Sequence, residues 1–295
     1  MAALDLKFPE LSFVDGSLDI GRFAQAPMRI YPGFLVAAGV LTVSNWWLHP
    51  GFTGMALFVI DFVVVFASVL VHELAHAVVA KRYAVTARRI DFHIFGAVVT
   101  FDTSPRRAWQ EFAIVIAGPL SNLALAAVAC ALLVVVHGGL PELIPQGPLR
   151  SDVIFEPRIA GRALTFALYL NVGLFVVNML PAFPLDGGKL LYMLIARQRD
   201  GRTATVVVAR LGLMLAFASY LLLLVTAIVG CPVWSPPGAA INLNALLAAE
   251  RDGVPYYLTR PGFPNIVTHG RSRNAATGSR AFSRIAGRAP KVIRG

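Results

Sequence analysis

Charge is what this sequence has least of. Only 14% of its 295 residues are charged and 57% are hydrophobic, with a mean hydropathy of +0.67. Soluble globular domains carry nearer ~25% charged residues, so an ordinary soluble domain is excluded. Cysteine is scarce as well. Cys130 and Cys231 are the two present, too few and too dispersed for a disulfide framework. The first 30 residues hold Asp5, Glu10, Asp15 and Asp19 and lack a basic start followed by an apolar core. No cleaved signal peptide is expected. Internal repetition of the kind that marks many transporters is also missing.

What the sequence does have is long uncharged runs. Five reach or approach the ~20 residues needed to cross a bilayer: residues 31–48, 54–80, 109–137, 163–181 and 206–230. The first is marginal, and the second is long enough to tilt or protrude. The expected fold class is an all-α polytopic membrane protein with about five to six transmembrane helices. Four regions follow: an N-terminal cytoplasmic segment (1–30), a transmembrane domain (31–230), a re-entrant or interfacial piece (231–250) and a basic tail (251–295). The tail carries a charge of +8, and its Gly, Ser, Ala and Pro content predicts disorder.

Loop charge sets the expected orientation. Lys81, Arg82, Arg88, Arg89, Arg106 and Arg107 lie between the second and third runs; Lys189, Arg197, Arg199 and Arg202 follow the fourth. The positive-inside rule puts residues 1–30, 81–108 and 186–205 in the cytoplasm. Five crossings would leave the basic tail outside, against the same rule. The segment Ala239–Ala249 is about 16 Å long as a helix, too short for a full return.

The second run carries His72-Glu73-Leu74-Ala75-His76. Imidazoles four residues apart project from one helical face and can grip one zinc ion. Glu73, beside the metal without ligating it, can take a proton from metal-activated water and return it to a leaving amine. Ionised groups at mid-bilayer cost roughly 2.5–3.5 kcal/mol on insertion scales, so they persist where they pair or bind something. A third ligand is still needed. Asp61 lies eleven residues before His72, roughly 16 Å along the helix, and cannot reach the same ion. Asp186 can. It follows Pro181 and Pro184, which end the fourth run, and precedes Gly187 and Gly188, which permit close backbone approach.

Together these motifs resemble the site-2 protease family of intramembrane metalloproteases. The match is carried by His72 to His76, by the run from Asn178 to Gly188, and by Glu111-Phe112 leading to Ala117-Gly118-Pro119-Leu120-Ser121-Asn122. It covers roughly residues 20–200. The resemblance implies one zinc ion per chain, held by His72, His76 and Asp186, with Glu73 as general base and acid. It implies substrate-binding roles for Asn178, Asn122 and Gly96; for both asparagines an interhelical hydrogen bond is the alternative. It also implies a small membrane-associated β-hairpin over residues 89–101, whose open edge can pair with an unwound substrate. Ala97 stands where the family often has a second glycine, and Tyr31 where it commonly has a histidine. Neither the loop 138–160 nor the tail is long enough for an inserted PDZ module or a CBS pair, so a compact family form is expected.

The function implied is zinc-dependent endopeptidase cleavage within or near the transmembrane helices of membrane-protein substrates. The expected location is a bacterial inner membrane, with the active site towards the cytoplasm. The expected partners are a transmembrane substrate and a regulatory membrane protein, with no specific nucleic acid. The alternative is a transporter or proton relay using Asp61, Glu73 and the histidines. It does not require the H-E-x-x-H spacing. An inactive scaffold fits poorly with an intact Glu73.

Overall fold

The computed structural model describes residues 13–14, 16–23, 26–36, 39, 52–93, 96–103, 105–137, 159–228 and 238–252. The described elements are β1 (Phe13–Val14), β2 (Ser17–Phe23), β3 (Ala26–Ile30), α1 (Phe52–Arg82), β4 (Ala87–His93), β5 (Gly96–Phe101), α2 (Ala108–His137), α3 (Ile159–Asn178), α4 (Asp186–Gln198), α5 (Gly201–Ile228) and α6 (Ala239–Asp252).

Among the described residues, three helical stretches are long and apolar enough to cross a membrane: Phe58–Arg82, Ala108–Val135 and Gly201–Leu221. Ala163–Asn178 is apolar but shorter. Most of the expected first run, together with the loop 138–158 and the tail from 253, lies outside the described residues. The helices expose large apolar side chains outward, with Val135 at 80%, Phe217 at 73% and Met214 at 69%. Water would not tolerate so extensive an apolar surface, whereas lipid does.

The helices form two groups. α1, α2 and α3 pack on one another, with Ala126, Ala129 and Leu133 of α2 against Leu168 of α3. α4, α5 and α6 form the second group around Tyr192, Ala204, Val208, Ala209 and Ala245. α4 also packs against α2, joining the groups.

The sheet is larger than the expected hairpin. Five strands run in the order β1-β2-β3-β4-β5, antiparallel except for the parallel pair β3–β4. The parallel pairing requires a crossover, and α1 lies within that connection. Residues expected as a plain cytoplasmic segment thus contribute strands. Ile30, Ile90, Phe92 and Val99 form an apolar sheet face against Phe62, Phe66 and Leu70 of α1. β4–β5 is the expected hairpin, extended edge-on by three further strands, and α1 covers the apolar face.

Candidate metal centre

The side chains that could hold a metal come from the last third of one helix and the start of another. α1 is unbroken, so His72 and His76 share a face. α3 ends at Asn178, and the chain crosses Pro181 and a cis peptide bond before Pro184 to restart as α4 at Asp186. A carboxylate in the first turn of a helix is favoured by the backbone dipoles. Gly187 and Gly188 sit where an added Cβ would run into the carbonyls of Met179 and Ala182. The glycines let α4 fold tightly against the loop that precedes it.

Three donor atoms converge. His72 Nε2 and His76 Nε2 are 3.2 Å apart, and each lies 3.2 Å from Asp186 Oδ2. Four ligands placed tetrahedrally at ~2.0 Å from zinc would be about 3.3 Å from one another. The triangle has the size of one face of such a tetrahedron. All three residues are buried.

The outer atoms of each ligand are occupied in the way a metal site needs. His72 Nδ1 is hydrogen-bonded to Asn122 Oδ1, and His76 Nδ1 donates to the Ile114 carbonyl at 2.7 Å. Both acceptors lack a proton to give, so each imidazole carries its hydrogen on Nδ1 and turns the Nε2 lone pair inward. Lys189 Nζ donates to Asp186 Oδ1 at 2.8 Å, leaving Oδ2 facing the histidines. α2 approaches closely at Gly118. A Cβ there would lie 2.6 Å from His72 Nε2 and nearer still to His76 Nε2. The donors, their tautomers and this space fit a zinc ion.

Glu73 is buried beside the triangle, and its Oε2 accepts the Val99 N–H at 3.1 Å. Val99 belongs to β5, the terminal strand of the sheet order. That amide therefore points off the outer edge, towards the site. Glu73, the three donors, Gly96, Asn178, Gly238 and residues 239–241 of α6 all line one cavity of about 550 Å³. Gly96 has φ +127°, with open space where a Cβ would stand. The Asn178 amide donates to the Leu174 carbonyl at 2.9 Å.

Asn122 does not line the cavity. It is fully buried behind His72, and its amide donates to Asn171 Oδ1 at 2.8 Å. Asn171 in turn donates to Ser68 Oγ at 2.9 Å. Asn122 thus makes the interhelical hydrogen bonds that are the alternative to a substrate contact, in a chain across α1, α2 and α3. Ser68, Asn171 and Lys189 had no assigned site role in the sequence reading. Asn171 did carry a signal, as an amide in an apolar run. His93 lines the cavity edge and stacks on Tyr31 with ring centroids 4.5 Å apart. Burial pushes the His93 imidazole below its usual range. Neither His93 nor Asp61 belongs to the metal-holding group among the described residues.

The sequence pattern of peptidase family M50 matches residues 61–156 and 158–223, more than half of the chain. A curated relative in Synechocystis sp., named as a zinc metalloprotease, is 26% identical over 67% of this chain and 49% of its own length. A zinc metalloprotease of Methanocaldococcus jannaschii is 33% identical over 52% of this chain and 40% of its own. The chain thus spans about half the length of the curated relatives it matches. Among solved structures, the site-2 protease of Methanocaldococcus jannaschii superposes with a TM-score of 0.50 at 24% identity. That match covers 81% of this chain and 95% of the other, and it establishes the fold.

Proposed function

Because the chain belongs to peptidase family M50, we propose that it is an intramembrane zinc metalloendopeptidase acting within or near transmembrane helices of membrane proteins. The observation that carries this reading is the buried His72–His76–Asp186 triangle, set among helices apolar and long enough to cross a bilayer. When bound, zinc supplies a Lewis acid that acidifies water and polarises the scissile carbonyl.

The Glu73 carboxylate takes one proton from the attacking water as its oxygen bonds to the carbonyl carbon. It returns that proton to the amine as the C–N bond breaks. Glu73 is oriented for this by the Val99 N–H, so the base and the sheet edge act as one surface. A helical substrate has its peptide groups shielded and must unwind to reach the site. The outer edge of β5, with Gly96 at its start, offers main-chain partners to the unwound strand. Asn178 steadies the substrate backbone from the opposite wall. Asn122 serves the reaction through His72.

Loop charge supports an orientation with residues 81–108 and 186–205 in the cytoplasm. We take the membrane to be a bacterial inner membrane, and a regulatory membrane protein to be a partner besides the substrate. Purified protein is expected to hold about one zinc per chain, as one catalytic site requires, and His72→Ala to hold none. Glu73→Gln is expected to keep the zinc and lose cleavage. Retained cleavage in Glu73→Gln would overturn the mechanism. Comparing membrane proteomes of cells with active and Glu73→Gln enzyme identifies the substrate by its accumulation.

A further inference from the structure

The loop that delivers Asp186 runs through the interior, where every backbone polar group needs a partner. Phe183, three residues before Asp186, has both its N–H and its carbonyl at stake. One side chain serves both. Phe183 N–H donates to Asn242 Oδ1 at 3.1 Å, and Asn242 Nδ2 donates to the Phe183 carbonyl at 2.7 Å. The same Nδ2 donates to the Gly238 carbonyl at 2.7 Å, four residues back on its own chain. Asn242 is fully buried on α6.

Packing leaves this amide little freedom. An added Cβ at Gly212 of α5 would strike Asn242 Oδ1 and would lie 2.7 Å from Nδ2. Phe183 is itself fully buried, with Tyr192, Val208 and Ala245 in its cluster. Ala245 follows Asn242 by three residues and shares its helical face. The contact therefore joins α5, α6 and the broken-helix loop at one point.

Asn242 lies beyond residue 223, where the family match ends. We infer that Asn242 is a positioning residue for the metal ligand Asp186, so that α6 is part of the metal-binding machinery. The amide mimics a stretch of backbone. It pairs with the loop as a strand would, and thereby fixes where α4 begins and where its first carboxylate points. This rests on the zinc reading above, and its failure is separable from a failure of that reading.

The test is zinc release from the full-length protein in detergent, followed with a chromogenic chelator, with helicity monitored by circular dichroism. Asn242→Ala and Gly212→Ala disturb the same amide from two different helices. Each is expected to release zinc about 10-fold faster or more, the scale of losing an outer partner of a metal ligand, with helicity unchanged. Asn242→Asp keeps the acceptor for Phe183 N–H and loses both donated bonds, so it should fall between. Leu243→Ala, at a neighbouring exposed position, should match the wild type. Wild-type release rates in Asn242→Ala and Gly212→Ala would overturn the inference. So would zinc loss that only accompanies loss of helicity in every variant, since Asn242 would then be holding the fold rather than the loop. Wild-type protein without zinc would instead sink the zinc reading itself.

Discussion

His72 and His76 sit within an unbroken helix of 31 residues, whereas Asp186 is the first residue of a helix that restarts after a break. The first group of helices holds its pair by contacts across helices: Asn122, Asn171 and Ser68 behind His72, and the Ile114 carbonyl behind His76. The second holds its ligand by a salt bridge from Lys189 and by a loop whose backbone is pinned from α6. A ligand within a helix inherits its direction from helical geometry and needs support only for ring rotation. A ligand after a break inherits nothing, and its position depends on whatever holds the loop. The two halves should therefore fail differently when perturbed.

Removing a ligand breaks the site from either side. His76→Ala and Asp186→Ala each leave two donors and are expected to abolish both zinc retention and cleavage. Metal analysis of purified protein checks this. The partners of the ligands come next. Asn122→Leu frees the His72 ring and should weaken zinc about 10- to 100-fold, measured by chelator competition. Asn171→Leu, one step further away, should weaken it less. Adding it to Asn122→Leu should cost less than the sum of the two, because the residues share one network.

On the other side, Lys189→Met should weaken zinc by about 10-fold, and Lys189→Arg should restore most of it by again meeting Asp186 Oδ1. Equal losses in the methionine and arginine variants would show that the ion pair is not what orients the carboxylate.

The smallest expected effect lies away from the metal, where α5 begins. Asp200 caps that helix, accepting from the Thr203 hydroxyl at 2.7 Å and the Thr203 N–H at 3.0 Å. The Thr203 side-chain bond, then the backbone bond, hold the Asp200 carboxyl below its usual value. Its contribution is therefore present at neutral pH and lost as pH falls through the lowered value. Asp200→Ala should cost about 1 kcal/mol of stability at pH 7, and the cost should shrink as pH falls through the lowered value, with zinc binding at pH 7 unchanged. Thermal melts over a falling pH series test it.

This contrast also explains what could be read in the sequence. The spacing from His72 to His76 is local, and helical period alone places both rings on one face. Pro181 and Pro184 announce the break, and an acid between a broken helix and two glycines is conspicuous. The partners that orient these groups are not local. Asn122 meets His72 across 50 positions, Asn171 meets Ser68 across 103, and Asn242 meets Phe183 across 59. A polar residue in an apolar run says that it has a partner without saying which. The strands β1, β2 and β3 are not legible in the sequence for another reason. Their charges and the irregular register between Asp19 and Gly21 mask the alternation, and only pairing with β4 gives their apolar face something to cover.

The end of α6 carries a consequence for how the chain is threaded. Arg202, at the start of α5, donates to the carbonyls of Ala249 and Glu250 at 2.9 and 3.2 Å, and Arg210 pairs with Glu250 at 3.0 Å. The chain thus finishes α6 beside the point where α5 began. Residues 201 and 252 therefore lie at the same end of α5, although α6 has 14 residues against the 28 of α5. If α5 crosses a bilayer, Asp252 lies on the face from which α5 starts. A helix half as long as α5, starting beside the cavity that the three donors line, is what closes that return.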